Sequence, residues 1–376
     1  MALAAAAAAV FRLRPGRFYI LLLFVTASFS LIGLTLLSHL SWNQVPQGYF
    51  AKQHRARYSY DLDRAHHPDW MAQLPDSAPL TALSIPGSHD TLTYGIAEPH
   101  YRCQNHELAA QLRAGLRYLD VRAVLLGNDS SLRIYHGEAY TGHTYAEVLQ
   151  IVFAFLDEQP GEAVVMRVKE EKPPIGEPQV SFGEAFNRYQ FSDPETAPGW
   201  AEHFYQWPPP AEAEESGTAA EVSPRLPTLG ELRGKILLLQ NFVSEGGPYG
   251  LLWESPQMTL EDYWLMGNVT DLEDKWTDIR DNLAGANTSA STQDGTGSDQ
   301  PPPLFLTHLS ATGAVLPSQA AAGIPANRTF VGIEGMNDRT GSWLSAHDGA
   351  TGVVIADFPG AGLVDEILRH NEWLLQ

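Results

Sequence analysis

Charged side chains recur at two-residue spacing within two predicted β-strands. In the run 117–125, Tyr118, Asp120 and Arg122 fall on one face, because successive strand residues point to opposite sides. A second run repeats this spacing with Arg167, Lys169 and Glu171. Charges inside an apolar strand are costly unless they pair with one another or with a ligand. The pattern is therefore consistent with either a buried ion-pair network or a ligand site.

Two histidines follow predicted strands at positions suited to proton transfer. His89 comes directly after Pro86-Gly87-Ser88, and His136 precedes Gly137. An imidazole has an ordinary pKa near neutrality, so it can act as a general base or a general acid. Each position also has a purely structural interpretation. Asp90 could cap a helix, and a histidine at a strand end is commonly half-buried.

Short apolar runs alternate with helical patterns from residue 80 onward. The predicted strands are 80–85, 116–125, 132–135, 163–169, 235–240, 304–308 and 352–357, and the predicted helices are 106–114, 145–158 and 363–373. Strands separated by helices are typical of a parallel α/β sheet covered on both faces. The length favours a single distorted TIM-type (β/α) barrel with its site at the carboxyl ends of the strands. A doubly wound open sheet is the alternative.

Composition limits the possible partners. The 376 residues carry a formal net charge of −20, and no basic patch stands out to neutralise phosphates, which argues against nucleic acid. The single cysteine, Cys103, excludes an intrachain disulfide and is interpreted as a buried apolar side chain. Segments 208–224 and 284–303 have the composition of disordered insertions.

The N-terminal region has the pattern of a signal anchor. Residues 18–38 are uncharged and, as a helix, would extend about 31 Å, enough to cross the hydrocarbon core of a bilayer. Arg12, Arg14 and Arg17 precede them, which favours a cytoplasmic N-terminus. We therefore predict a basic tail at 1–17, a transmembrane anchor at 18–38, a juxtamembrane linker at 39–78 and a lumenal or extracellular catalytic domain at 79–376. The alternative is a cleaved signal peptide and a secreted protein.

Four tripeptides after this segment match the N-glycosylation sequon, and a lumenal or extracellular domain would agree with their use. Their asparagines are Asn128, Asn268, Asn287 and Asn327.

An ordered series of motifs resembles one protein family. SIPGSHDT, YLDVRAV, RIYHGEAY and VVMRVKEE follow one another as in the X-domain phosphatidylinositol-specific phospholipases C, and RGKILLLQNF, LEDKW and GVVIADFPG continue the series. The resemblance covers roughly residues 80 to 376. It implies a distorted TIM-type barrel and cleavage of an inositol phospholipid to diacylglycerol and inositol 1,2-cyclic phosphate. The substrate and the membrane that carries it are then the implied partners.

The resemblance also implies residue roles. His89 matches the general base that takes the inositol 2-hydroxyl proton, and His136 matches the general acid that protonates the leaving oxygen. Asp357 matches the carboxylate that orients the base, and Asp90 the one that supports the acid. Arg122 matches the arginine that binds the phosphate oxygens.

Headgroup contacts and the cofactor requirement follow in the same way. Calcium-dependent relatives have an asparagine after the first histidine and a carboxylate-rich ligand set. Asp90 and Arg122 stand here instead, so the resemblance implies chemistry without a metal or another cofactor. Asn241 replaces an arginine that contacts inositol in the bacterial enzymes, which leaves open whether the headgroup is phosphatidylinositol or a glycosylated relative. The candidate substrate-binding residues are Asp120, Lys169, Glu171, Asn241, Asp274 and Trp276.

Two other function classes compete with this enzyme. One is a membrane-tethered inositol-lipid-binding module without turnover, which Asn241 and the acidic composition favour. The other is a barrel phosphodiesterase acting on glycerophosphodiesters or sphingolipids, which would need a metal carboxylate cluster that the sequence does not suggest.

Overall fold

The computed structural model describes residues 57–207, 225–245, 248–291, 302–328 and 331–376. The strands in these ranges are β1 (Ser84–Ser88), β2 (Tyr118–Leu125), β3 (Leu132–His136), β4 (Ala139–Thr144), β5 (Ala163–Glu170), β6 (Lys235–Asn241), β7 (Leu251–Leu252), β8 (Met258–Glu261), β9 (Leu265–Met266), β10 (Leu304–His308), β11 (Thr312–Gly313) and β12 (Gly352–Ala356). The α-helices are α1 (Leu108–Ala114), α2 (Tyr145–Glu158), α3 (Phe182–Phe191), α4 (Ala197–His203), α5 (Leu229–Leu232), α6 (Asp271–Ser291), α7 (Pro317–Ala322), α8 (Met336–Leu344) and α9 (Ala361–Arg369).

Most strands join one curved sheet. Its parallel strands follow the order β7-β6-β5-β2-β1-β12-β10-β8, and the antiparallel hairpin β3–β4 branches from the end of β2. The register aligns Asp120 with Arg167, Arg122 with Lys169, and Lys169 with Asn241. Three neighbouring strands therefore end in charged or polar residues at the same level.

Alternation along the strands separates two apolar faces. Ile85, Val165, Leu237 and Leu306 pack together on the inner face. The intervening residues, such as Met166, pack on the outer face with helices α2 and α3. Because side chains alternate, the residues that continue the inner face toward the carboxyl ends are the polar ones: Asp120, Arg122, Arg167, Lys169, Asn241 and His308. The inner face of the sheet is thus apolar along most of its length and polar at the carboxyl ends of the strands.

The prediction of a single distorted TIM-type (β/α) barrel is wrong. In the described ranges β7 and β8 end the strand order and do not pair with each other, so the structure is an open α/β half-barrel. Only residues 253–257 lie between these two strands. A parallel pair needs a crossover of about a dozen residues or more, so this connection is too short to close the sheet.

The predicted single-pass membrane topology is also corrected. Within the described ranges no helix is long and apolar enough to cross a bilayer. The anchor predicted at 18–38 and the tail at 1–17 lie outside those ranges. The predicted membrane anchor is therefore not supported, and neither are the cytoplasmic N-terminus and the lumenal or extracellular domain that depended on it.

Two stretches assigned to linkers or insertions have defined structure. Residues 57–78 were predicted as part of a juxtamembrane linker, but Trp70, Met71 and Leu74 are buried against the inner cluster. Residues 284–291 were predicted as part of a disordered insertion and form the end of α6, where Ala286 and Ala290 are buried. Residues 208–224 and 292–301 lie outside the described ranges.

The four predicted glycosylation sites differ in accessibility. Asn128, Asn268 and Asn327 are exposed, whereas Asn287 is half-buried in α6 and its side-chain nitrogen donates to the Asp348 carbonyl at 3.1 Å. Their modification stays a prediction.

Candidate active site

His89 lies directly after β1 and is fixed from both sides of its ring. Its Nδ1 donates to Asp357 Oδ1 at 2.8 Å, and Arg122 Nη2 donates to its Nε2 at 2.7 Å. The Gln104 amide donates to the main-chain carbonyls of His89 and Ala356, which ties β1 to β12 at this level. These bonds determine the tautomer, so Nε2 carries the lone pair that faces the cleft.

Burial and charge set the protonation state of this imidazole. Burial lowers the pKa of His89 well below its ordinary value, and the neighbouring Arg122 guanidinium lowers it further. Burial raises the pKa of Asp357, as does the nearby Asp90 carboxylate. The imidazole is therefore neutral near pH 7 and able to accept a proton.

His136 ends β3 and faces His89 across Asp90. Its Nδ1 donates to the Tyr101 carbonyl at 2.9 Å, which leaves Nε2 directed at Asp90 Oδ2, 3.4 Å away. The Nε2 of His89 is 3.2 Å from the same oxygen. The two ring centroids are 6.3 Å apart and nearly perpendicular. The sequence placed these histidines 47 positions apart, and the fold brings them to one carboxylate.

Arg122 projects from β2 between several carboxylates. Its Nε is 3.1 Å from Asp90 Oδ1, its Nη2 donates to Asp120 Oδ2 at 2.8 Å, and its Nη1 is 3.9 Å from Glu171. Burial would lower the pKa of Arg122, but the carboxylates outweigh this effect and raise it. In turn Arg122 and Arg167 lower the pKa of Asp120 well below its ordinary range despite burial. The charge of Arg122 is permanent, and its orientation is fixed.

Asp90 connects the two histidines and the arginine. Its backbone nitrogen donates to Asp120 at 3.1 Å, and its φ of 44° lies in the left-handed region. Burial raises the pKa of Asp90 to about 6, although Arg122 and His136 oppose this shift. The Asp90 carboxyl group therefore changes its protonation state near pH 6.

These groups surround a cleft of about 270 Å³ at the carboxyl ends of the strands. Residues from strand ends and several loops complete its wall: Tyr101, Cys103, Arg167, Lys169, Glu171, Asp262, Trp264, Ser310 and Thr312. Two imidazoles, a guanidinium and a lysine in one such cleft can bind a phosphate and move protons on either side of it.

Comparison with known proteins agrees with this geometry. Residues 76–241 match the family model described as phosphatidylinositol-specific phospholipase C, X domain. Over these residues the chain resembles this X-domain family.

Similar proteins include the 1-phosphatidylinositol phosphodiesterases of Listeria monocytogenes and Staphylococcus aureus. The first is 27% identical over 317 residues, which cover 81% of this chain and 85% of the relative. The second is 25% identical over 343 residues, or 85% and 98% of the two chains. The solved phosphatidylinositol-specific phospholipase C from Listeria monocytogenes superposes with a TM-score of 0.62 at 27% identity, covering 82% of this chain and 99% of that one.

One wall of the X-domain cleft carries further cations and carboxylates. Lys169 donates to Glu171 Oε2 at 2.8 Å, and the Gly137 nitrogen donates to the other carboxylate oxygen at 2.8 Å. Glu171 thereby links the loop after β3 to the end of β5. Burial raises its pKa, but Arg122 and Lys169 lower it by more, so this carboxylate is ionised.

Asn241 lies on the same wall and contacts Arg167. With its amide oriented so that both ends find partners, the Asn241 side-chain oxygen accepts from Arg167 Nη2 at 2.7 Å. The Arg167 guanidinium also lies 3.8 Å from the ring centroid of Trp253 and 3.6 Å from Asp120. A guanidinium from β5 therefore occupies the region next to Asn241.

Two residues that the sequence assigned to the headgroup site are elsewhere. Asp274 is exposed on α6, and Trp276 packs beside the apolar cluster under that helix. The motif LEDKW at 272–276 has a near-copy, LEDYW at 260–264, which spans the end of β8. Asp262 and Trp264 of this copy line the cleft. The end of β8 reaches the cleft, whereas α6 packs on the outside of the sheet. Asp274 and Trp276 therefore do not line the cleft.

Sequence reasoning also missed several cleft residues. Arg167 had been noted on the right strand face but was not assigned to the site. Tyr101, Cys103, Ser310 and Thr312 lie on loops without a periodic pattern, and no signal in the sequence identifies them. Only the repeated LED-x-W motif could have pointed to Asp262 and Trp264.

Proposed function

We propose that this protein cleaves inositol phospholipids, by intramolecular attack of the inositol 2-hydroxyl on phosphorus, to diacylglycerol and inositol 1,2-cyclic phosphate. The observation that carries the proposal is the arrangement of His89 and His136 on either side of Asp90, with Arg122 against the same carboxylate. The relatives named 1-phosphatidylinositol phosphodiesterase support the substrate class.

His89 acts as the general base. Its lowered pKa keeps the ring neutral, and its Nε2 lone pair accepts from Arg122 until the guanidinium turns to the substrate phosphate and frees this nitrogen for the hydroxyl proton. When it takes the hydroxyl proton, the hydrogen bond from Nδ1 to Asp357 stabilises the imidazolium that forms.

His136 acts as the general acid toward the leaving diacylglycerol oxygen. Its Nε2 lies 3.4 Å from Asp90 Oδ2, and this contact orients the ring. The bond from Nδ1 to the Tyr101 carbonyl fixes the ring so that Nε2 is the atom that carries the transferred proton.

Arg122 stabilises the charge that accumulates on the phosphate oxygens. A fixed guanidinium with donors in one plane supplies the positive charge that a hard cation supplies in calcium-dependent chemistry. We therefore propose a reaction that needs no metal ion. On the adjoining wall, Lys169, Glu171 and Arg167 are proposed to bind inositol hydroxyls, together with Asp262 and Trp264.

The test is cleavage of phosphatidylinositol vesicles by the purified full-length protein in the presence of EDTA. We expect release of inositol 1,2-cyclic phosphate. Both His89→Ala and His136→Ala should lose more than about 1000-fold in turnover, since each removes one proton-transfer step. His66→Ala serves as the matched control, because His66 is exposed and does not line the cleft.

Three results would contradict the proposal. The first is full activity of either active-site variant, and the second is loss of activity in EDTA. The third is tight binding of phosphatidylinositol by the wild-type protein without product, which would instead favour the lipid-binding module.

A further inference from the structure

A group of metal-ligating side chains lies at the inner edge of the cleft. His89, Asp90 and Cys103 each offer one ligand atom, and these atoms all lie within 4.8 Å of one another. Asp90 is 2% exposed, and its Oδ2 has no hydrogen-bond partner. The imidazole nitrogens of His89 and His136 lie 3.2 and 3.4 Å from this oxygen without forming a hydrogen bond to it, so the atom is suited to a cation that all three groups could bind.

Cys103 is held so that its sulfur faces this group. Its backbone nitrogen donates to Thr93 Oγ1 at 3.0 Å, and its carbonyl accepts from the Phe358 nitrogen at 2.8 Å. The sulfur is 3.9 Å from His136 Nδ1, and the residue lines the cleft. Burial raises the pKa of the thiol well above its ordinary value, so without a metal it is protonated.

We propose that Cys103, His89 and Asp90 form a binding site for a divalent cation of the zinc type, which the acid–base reaction does not use. One thiolate, one imidazole and one carboxylate are ligands that Zn²⁺ and Cd²⁺ prefer, whereas Ca²⁺ and Mg²⁺ require oxygen ligands. His136 Nε2, 3.4 Å from Asp90 Oδ2, is placed to supply a fourth ligand. Binding releases the thiol proton to solvent.

Arg122 opposes this binding. Its Nη2 donates to His89 Nε2 at 2.7 Å, and coordination through that nitrogen requires the guanidinium to give up this bond. The bond to Asp120 Oδ2 at 2.8 Å remains available to it. Binding is therefore weaker than at a site without a competing guanidinium, and it is reversible.

Coordination would occupy the lone pair of the base and the carboxylate that supports the acid. A bound cation is therefore a reversible inhibitor that excludes substrate. Inhibition rests on the proposed phosphodiesterase function, whereas the binding itself does not.

The test is titration of the metal-free full-length protein with Cd²⁺, with ultraviolet sulfur-to-cadmium charge-transfer absorption as the readout. The chain has a single cysteine, so any such band reports on Cys103. We expect one equivalent of Cd²⁺ to bind with micromolar affinity and Zn²⁺ to displace it. The band should disappear in Cys103→Ser. Asp90→Asn and His89→Ala should each weaken binding by at least about tenfold.

The chain also offers a matched control. Asp157, Glu202 and His203 form a second group with ligand atoms within 4.8 Å, largely exposed and without sulfur. Glu202→Gln should leave the band unchanged. The proposal is overturned if millimolar Cd²⁺ produces no band. It is also overturned if Asp90→Asn and His89→Ala both bind as tightly as the wild type, because the thiol would then act alone.

An activity assay separates this inference from the proposed function. If the wild-type protein cleaves phosphatidylinositol, Zn²⁺ should inhibit it, and Cys103→Ser should raise the half-inhibitory concentration at least about tenfold. If the protein cleaves no lipid but the cadmium band behaves as expected, the metal site stands and the proposed function fails.

Discussion

Arg122 differs from the other cations of the cleft because three carboxylates face its three nitrogens. Asp90, Asp120 and Glu171 lie 3.1, 2.8 and 3.9 Å from it. These contacts fix the plane of the guanidinium beside His89. A lysine would keep the charge but not this geometry.

We therefore expect Arg122→Lys to lower kcat by about 100-fold while changing KM little, since the guanidinium acts mainly on charge that develops during the reaction. Steady-state kinetics on phosphatidylinositol vesicles would measure both parameters. An unchanged kcat would show that a point charge suffices and that the planar geometry has no role.

The pKa of Asp90, about 6, predicts how activity depends on pH. As pH falls through 6, Asp90 takes up a proton and loses the charge that supports His136, so kcat/KM should fall. His89 does not cause this fall, because its lowered pKa keeps it neutral there. Asp90→Asn should be less active and should lack the fall near pH 6. A profile between pH 4.5 and 8 tests this, and persistence of the fall in the variant would assign it to another group.

The same pKa predicts an effect on stability. The folded-state pKa of Asp90, about 6, lies above its ordinary value of 3.8, so between these two values the folded protein binds more protons than the unfolded one. Ionisation of Asp90 therefore destabilises the fold as pH rises through 6. Asp90→Asn should raise the unfolding free energy by about 1–3 kcal/mol at pH 7.5. The gain should shrink toward pH 4. Urea unfolding at both pH values measures it, and a larger gain at pH 4 would contradict the sign.

Among the secondary-structure elements, β1 shows how a local pattern can mislead. The strand predicted at 80–85 ends before Pro86-Gly87. In the structure, β1 runs through both residues and pairs with β12 and β2. A Cβ on Gly87 would lie 2.6 Å from Tyr118 Cβ. Glycine is required here because two strands approach closely, and that approach places His89 above the cleft.

Gly87→Ala should lower the unfolding free energy by about 1–3 kcal/mol, since the neighbouring strand must move. It should also reduce activity, because His89 follows two residues later. The control is Gly95→Ala, where a new Cβ would meet its nearest neighbour at 3.9 Å. Chemical unfolding of both variants gives the comparison, and equal stability would contradict the close approach.

The LED-x-W motif occurs once at the end of β8, at 260–264, and once on α6, at 272–276. Trp264→Ala should raise KM by about tenfold, because the ring lines the cleft, with little loss of stability since it is exposed. Trp276→Ala should leave KM unchanged and lower the unfolding free energy by about 1–3 kcal/mol through lost burial. Kinetics and thermal unfolding of the pair measure this difference. A higher KM for Trp276→Ala together with an unchanged KM for Trp264→Ala would instead place the substrate contact on α6.

At the scale of the whole molecule, the end of the half-barrel opposite the cleft is held by a buried ion pair. Arg117 and Glu162 are fully buried, with Nη2 and Oε2 2.7 Å apart. Arg117 also donates to the carbonyls of His67 and Pro68, which attaches the segment before β1 to the sheet. Removing one charge of a buried pair leaves the other uncompensated.

Glu162→Gln should therefore lower the unfolding free energy by about 3–5 kcal/mol. KM and kcat, measured below the melting temperature, should be unchanged because the pair is remote from the cleft. Denaturant unfolding combined with kinetics tests this. A change in KM without a change in stability would mean that the two ends of the molecule are coupled.

The sequence by itself predicted the α/β class from the alternation of strands and helices. The resemblance of its ordered motifs to the X-domain family implied the five residues around the cleft centre, which are His89, Asp90, Arg122, His136 and Asp357. Asp357 and His89, far apart in the chain, were assigned together on that basis and lie 2.8 Å apart. The roles of these residues stay predictions until the variants are measured. The transmembrane anchor was an inference from local hydropathy, and the described residues do not support it.

Only the tertiary structure decided that the sheet stays open, which LED-x-W copy reaches the site, and that Arg167 and Cys103 join it. Each of these depends on distances between segments remote in sequence, which local patterns do not encode. The strand order and the short connection at 253–257 leave the half-barrel open. The same packing brings a thiol, two imidazoles and a carboxylate from two loops and a strand end to one point in the cleft.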